Sequence, residues 1–196
     1  MSDNQITIQP EESYKIIRNS VLTAQSKVYT AVNSAMVQAY WEIGQEIHKA
    51  CGENDRAEYG KKLLEYLSEH LTKEFGKGFT VANLKIMRQF YRTFPNRQTL
   101  SSELSWSHYN LLMRIEDEKV RQFYADECVK SNWSVRQLKR QINSFYYERL
   151  LASQDKESIK NEIGLPEKVE PKNIIRDPYV LEFLGLEGKT NFYEKD

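Results

Sequence analysis

The 196-residue sequence predicts an all-α fold: a multi-helix domain with a long N-terminal helix and one or two helix-turn-helix units, followed by a mostly irregular C-terminal tail. Three observations lead there. Apolar residues recur at steps of three and four over most of the first 151 positions, the spacing that gathers them on one face of a helix. No stretch alternates apolar with polar residues for long enough to build a sheet. The chain is also poor in breakers, with 8 glycines and 5 prolines.

The first helix is predicted from Glu11 to about Cys51, where Ile17, Val21, Ala24, Val28, Val32, Ala35, Ala39, Ile43 and Ile47 are each three or four residues apart. Roughly forty residues at about 1.5 Å each would extend about 60 Å, too far to pack along one small domain. The helix therefore projects, dimerises or breaks near Ser34. The polar run from Gly52 to Gly60 predicts a loop. A second helix follows from Lys61 to Phe75, with Leu63, Leu64, Leu67 and Leu71 inward, and Gly76-Lys77-Gly78 ends it. Thr80 then stands at an N-cap position, and Val81, Leu84, Met87, Tyr91 and Phe94 give the next helix its core stripe up to Pro95.

After the polar connection Asn96–Glu103, the run Leu104–Ile115 predicts a short helix. Asp117 caps another, with Val120, Phe123, Tyr124 and Cys128 inward and Ser131-Asn132 closing it. Ser134 and Gln137 form a capping box that opens the last long helix, whose stripe is Val135, Leu138, Ile142 and Phe145. The domain spans residues 11–151. Beyond it, 152–196 is charged and reads as a linker, in which only Asp177–Leu186 is apolar enough to dock or fold.

The balance of 28 basic against 28 acidic side chains conceals two positive blocks. Residues 76–102 carry 5 basic and no acidic side chains, and 129–151 carry 5 and 1, while each of the remaining three segments totals −3. Both blocks contain the second helix of a helix, turn, helix series. Lys77, Thr80, Lys85, Arg88, Gln89 and Arg92 mark the first, with Ala82 on the same outer face. Arg136, Arg140, Asn143 and Tyr147 mark the second. Arg and Lys neutralise phosphates and release counterions, and Arg, Gln or Asn can pair with base edges in the major groove. A bare helix start at Thr80 could add a phosphate contact. Against this stands the ordinary role of such residues, which is to keep the outer face of an amphipathic helix solvated.

Four stretches carry a family resemblance: Tyr40–Ile47 (YWEIGQEI), Tyr59–Pro95, Leu104–Asp117 (LSWSHYNLLMRIED) and Asn132–Ile142 (NWSVRQLKRQI). Together and at this spacing they resemble the N-terminal domain of the YhcG family over about residues 12–151. The resemblance implies a helical, winged-helix-like DNA-binding module, followed in full-length members by a PD-(D/E)xK-type nuclease domain and associated with restriction and other DNA-processing systems. Asp177–Leu186 resembles the segment leading into that nuclease, which would begin where this chain ends, at Asp196. The expectation is a DNA-targeting module without catalysis of its own.

No other chemistry emerges. The three D/E-x-K matches, at Asp117, Glu170 and Glu187, are about as many as chance supplies among 28 acidic residues and 17 lysines. His48, His70 and His108 lack metal-ligand spacing, and His108 reads as a cap or as packing beside Trp106. No catalytic residue, metal or cofactor is assigned. Tyr40, Trp41, Phe90, Tyr91 and Phe94 read as core (the first two alternatively as a dimer interface) rather than as base-stacking platforms. Trp133 packs around its turn, Tyr146 faces inward and Tyr147 outward.

Cys51 and Cys128 read as reduced thiols, and with no signal peptide and no membrane-spanning run the expected location is the cytoplasm. The partners expected are duplex DNA, a second copy through the long helix, and a nuclease or restriction-system component. The rival reading is a protein-interaction or dimerisation module whose basic faces meet an acidic protein.

Overall fold

A computed structural model describes residues 10–52, 57–155 and 178–184. Helix α1 runs unbroken from Pro10–Cys51, 42 residues and about 63 Å, so it does not break near Ser34 and its N-terminal half projects. Its first fully buried side chain is Asn33; the stretch before that is almost wholly exposed. The single stripe read from the sequence is thus two. Met36, Val37, Tyr40, Trp41, Gly44, Ile47 and Cys51 enter the core, whereas Ile17, Val21, Ala24, Val28 and Ala35 remain outside it.

Helix α2 (Ala57–Phe75) ends at Gly76, whose φ of 94° is a backbone conformation that costs glycine nothing. A 3-10 turn, Lys77–Phe79, leads to α3 (Val81–Thr93), where the Thr80 side chain accepts from Asn83 N at 3.3 Å as the N-cap. Helix α3 lies against the C-terminal half of α1. The approach is so close that a Cβ on Gly44 would sit 2.0 Å from Met87 O, so only glycine fits there. Trp41 Nε1 donates to Phe94 O at 2.7 Å and pins the far end of α3 to α1.

Helix α4 (Trp106–Leu112) closes the core. Trp106 meets Tyr40 and Phe90 edge to face, with centroids 4.8 and 5.2 Å apart, and Tyr109 meets Phe90 and Phe94. Helix α5 (Glu118–Ser131) is capped by Asp117, whose Oδ1 accepts from Lys119 N and Val120 N. It ends on Asn132, left-handed at φ 49°, with Trp133 N donating to Cys128 O. Ser134 and Gln137 form the reciprocal capping box of α6 (Val135–Asn143).

The last long helix is in fact two. Phe145 takes a left-handed φ of 53°, and α7 (Tyr146–Ala152) starts anew. The cause lies more than twenty residues upstream: the buried Tyr124 hydroxyl donates to Gln141 O and accepts from Tyr147 N, satisfying backbone groups on both sides of the break. Phe145 is consequently exposed rather than part of the inward stripe, and Tyr146 fills the core.

The docking segment expected within Asp177–Leu186 is present as α8 (Pro178–Phe183), which rests on α1 with Val180 buried and Phe183 edge-on to Tyr40. The rest of the expected irregular tail, 156–177 and 185–196, lies outside the described residues. Among the described residues there is no strand, so neither helix pair carries a β-wing there, contrary to what winged-helix-like implies.

Candidate nucleic-acid interface

Along α3, Lys85, Arg88, Gln89 and Arg92 fall at i, i+3, i+4 and i+7, the spacing that places them on one face. That face is opposite the Leu84, Met87 and Phe90 side chains packed beneath it. With Leu64 of α2 and Thr93 the four line an open concavity of about 550 Å³. Lys85, Gln89 and Arg92 are exposed and Arg88 is half-buried. Lys77 and Thr80 do not line it: Lys77 is exposed in the preceding turn, and the Thr80 hydroxyl is engaged in capping. Another cation of this block serves the fold, since Arg97 pairs with Glu42 at 2.9 Å and donates to Gln38 at 3.1 Å.

The second face needs one correction. Arg136, Arg140 and Asn143 are exposed on α6 as expected. Tyr147 is not with them. The break at Phe145 shifts its helical phase, and it is half-buried with its ring 5.0 Å from Phe123. Lys139 takes its place, exposed and at i+3 from Arg136. Sequence reasoning passed over it, although the same i, i+3, i+4, i+7 count that selects Arg88 would have found it. The α6 set is therefore Arg136, Lys139, Arg140 and Asn143: three cations and an amide, as on α3. These four do not line the α3 concavity.

His108 links the start of α4 to the second helix pair. Its Nδ1 accepts from Ser105 N at 3.2 Å and faces the Ser105 hydroxyl at 2.8 Å, while Nε2 lies 3.0 Å from Trp133 O. The Ser105 N–H donor assigns the proton to Nε2, which donates to the turn before α6. Burial lowers the pKa of the ring from its ordinary value, and the Trp133 hydrogen bond opposes that only in part. This is the capping role read for His108, with a tether to Trp133 added. Asp117, first residue of one D/E-x-K match, is used as a cap. The matches at Glu170 and Glu187 lie outside the described residues. Among the described residues no group of three or more His, Cys, Asp or Glu is placed to hold a metal ion. No helix among them is long and apolar enough to cross a membrane.

Residues 16–149 match the DUF1016 N-terminal domain family, which covers both helix pairs, His108 and nearly all of α1. The chain belongs to that family. It is also 34% identical over 208 aligned residues to a protein of Escherichia coli (strain K12) named "Putative nuclease YhcG", in an alignment covering 89% of this chain and 55% of that protein. The DUF1016 chain thus spans about half the length of the curated relative it matches. No solved structure matches it. The resemblance drawn from YWEIGQEI, NWSVRQLKRQI and their companions is correct at the level of the family.

Proposed function

We propose that this DUF1016 N-terminal domain is the DNA-targeting part of a YhcG-like nuclease system, spanning residues 11–151, and that the catalytic chemistry of such systems is carried by another domain. The observation that carries the reading is the α3 concavity, where three cations and an amide share one helical face above a packed core. Lys85, Arg88 and Arg92 suit phosphate neutralisation, and Gln89 suits the paired donor and acceptor of an adenine edge. The α6 quartet repeats the chemistry. The nuclease association comes from the family and from the name of the relative.

Duplex binding measured as a function of salt tests the proposal. Replacing Lys85, Arg88 and Arg92 with Gln should lower the slope of log affinity against log salt by about 2.7, at about 0.9 per lost phosphate contact. An unchanged slope removes α3 from the interface. Absence of duplex binding at low salt defeats the DNA reading and favours an acidic protein as occupant of the same face.

A further inference from the structure

We infer that the projecting half of α1 is a self-association element that pairs two copies of this chain as an antiparallel coiled coil. This rests on a surface apart from the two basic faces and is independent of the DNA reading.

Tyr14, Ile17, Val21, Ala24, Val28, Ala31 and Ala35 follow one another at strict alternating steps of three and four. That is a repeat of 3.5, the seam of a coiled coil, and narrower than the face a helix turns toward a globular core. All seven residues are exposed; Tyr14, Ile17, Val21 and Val28 show 65%, 63%, 50% and 64% of their surfaces. The seam lies roughly 110° around the helix from the Met36, Tyr40 and Ile47 face at about 100° per residue, so the domain that α1 enters does not cover it. Ile16 is also exposed but falls outside it.

The same segment contains β-branched Ile16, Ile17, Val21, Thr23, Val28 and Thr30, which favour a helix only weakly. In proteins most helical stability comes from packing of an apolar face rather than from propensity. The four large side chains expose on the order of 400 Å² of apolar surface per copy, and two copies with their alanines and flanking stems approach the roughly 1,000 Å² of a specific interface.

The occupant follows from the residues themselves. Laid antiparallel with Pro10 opposite Ala35, the seam places Tyr14 against Ala31, Ile17 against Val28, and Val21 against Ala24 of the second copy. Every layer then combines a larger with a smaller or equal side chain, which keeps the helix separation even. A parallel pair would stack Tyr14 on Tyr14 and Ala24 on Ala24, alternating wide and narrow layers. The flanking positions also agree. Arg18 faces Gln25, Lys27 faces Ser20, Glu11 faces Val32 and Ser13 faces Ser34, so no like charges meet. The overlap ends where α1 enters its own domain, leaving the two folded bodies at opposite ends.

Sedimentation of the full chain across the micromolar range should show a species of twice the 23.1 kDa chain mass. The double substitution Val21→Glu, Val28→Glu should return it to the chain mass with helical content and cooperative unfolding retained. A wild-type chain that stays at chain mass, or a double variant that remains dimeric, overturns the inference. Orientation is read by oxidation. Ile17→Cys and Val28→Cys chains should form a disulfide-linked dimer when mixed and none when each is oxidised alone. Linkage of Ile17→Cys to itself, or none in the mixture, rules out the antiparallel register. Cys51 and Cys128 are buried and contribute little background.

Discussion

The two helix pairs present the same chemistry on different foundations. Helix α3 carries Lys85, Arg88, Gln89 and Arg92, and α6 carries Arg136, Lys139, Arg140 and Asn143, each as three cations and an amide at i, i+3, i+4 and i+7. The first pair depends on glycine, with Gly44 admitting the Met87 backbone and Gly76 supplying the turn. The second pair has none, for no glycine occurs between Gly78 and Gly164. It turns instead on left-handed Asn132 and Phe145, held by capping side chains and by the Tyr124 hydroxyl. The first face is thus positioned by contact between backbones, the second by side-chain hydrogen bonds.

The sharpest way to break that contrast is Gly44→Ala. An added methyl meets the Met87 carbonyl, a backbone group that cannot rotate away, so α1 and α3 must part along their packed length. A loss of about 4 kcal/mol or more is expected, at the far end of single-substitution effects, read as a collapse of the urea midpoint. A midpoint within experimental error of wild type would show that α3 is not held as described.

Next in size is the comparison of the two faces by charge. Replacing Arg136, Lys139 and Arg140 with Gln should reduce the salt slope of duplex binding by about as much as the α3 triple, and all six together by about twice that, if both faces meet one duplex. A slope untouched by the α6 triple would confine the interface to the α3 concavity. The two triples then separate what sequence spacing alone makes equivalent.

How much of this was legible varies with the distance over which each feature is determined. Thr80, Asp117, Ser134 and Gln137 act within four residues of themselves, and each was read correctly as a cap. The tight crossing at Gly44 depends on which helix passes over it, and nothing near Gly44 says so. Phe145 and Tyr147 were misplaced for a related reason. The run Val135, Leu138, Ile142, Phe145 is a good helical stripe, but Tyr124, distant in sequence, interrupts it. On α1 one continuous pattern concealed two faces with different fates, because periodicity shows that a face is apolar and not what covers it.

Phe145→Gly is expected to act opposite in sign to Gly44→Ala. A bulky residue at φ 53° carries a left-handed penalty of about 1–2 kcal/mol, and its ring, 65% exposed, contributes little packing in return. Glycine removes that penalty while adding unfolded-state entropy, so the net gain should be about 1 kcal/mol or less, seen as a small rise in the urea midpoint. A clear fall would mean that the ring has a contact the fold depends on.

The smallest effect is set by His108, the tether between α4 and the turn before α6. Its neutral ring accepts from Ser105 N, which a protonated Nδ1 cannot do, and burial further disfavours the charged form. The folded-state pKa is therefore below the unfolded value near 6.5. The unfolded chain binds more protons in the window below 6.5, so this contribution to stability is fully present above that pH and is lost as pH falls through the folded pKa. Urea midpoints at pH 7 and pH 5.5 should differ in that direction, and His108→Gln, which cannot titrate, should narrow the difference. If the variant keeps the whole wild-type pH dependence, the proton is taken up elsewhere and His108 tethers α4 to the turn before α6 without sensing pH.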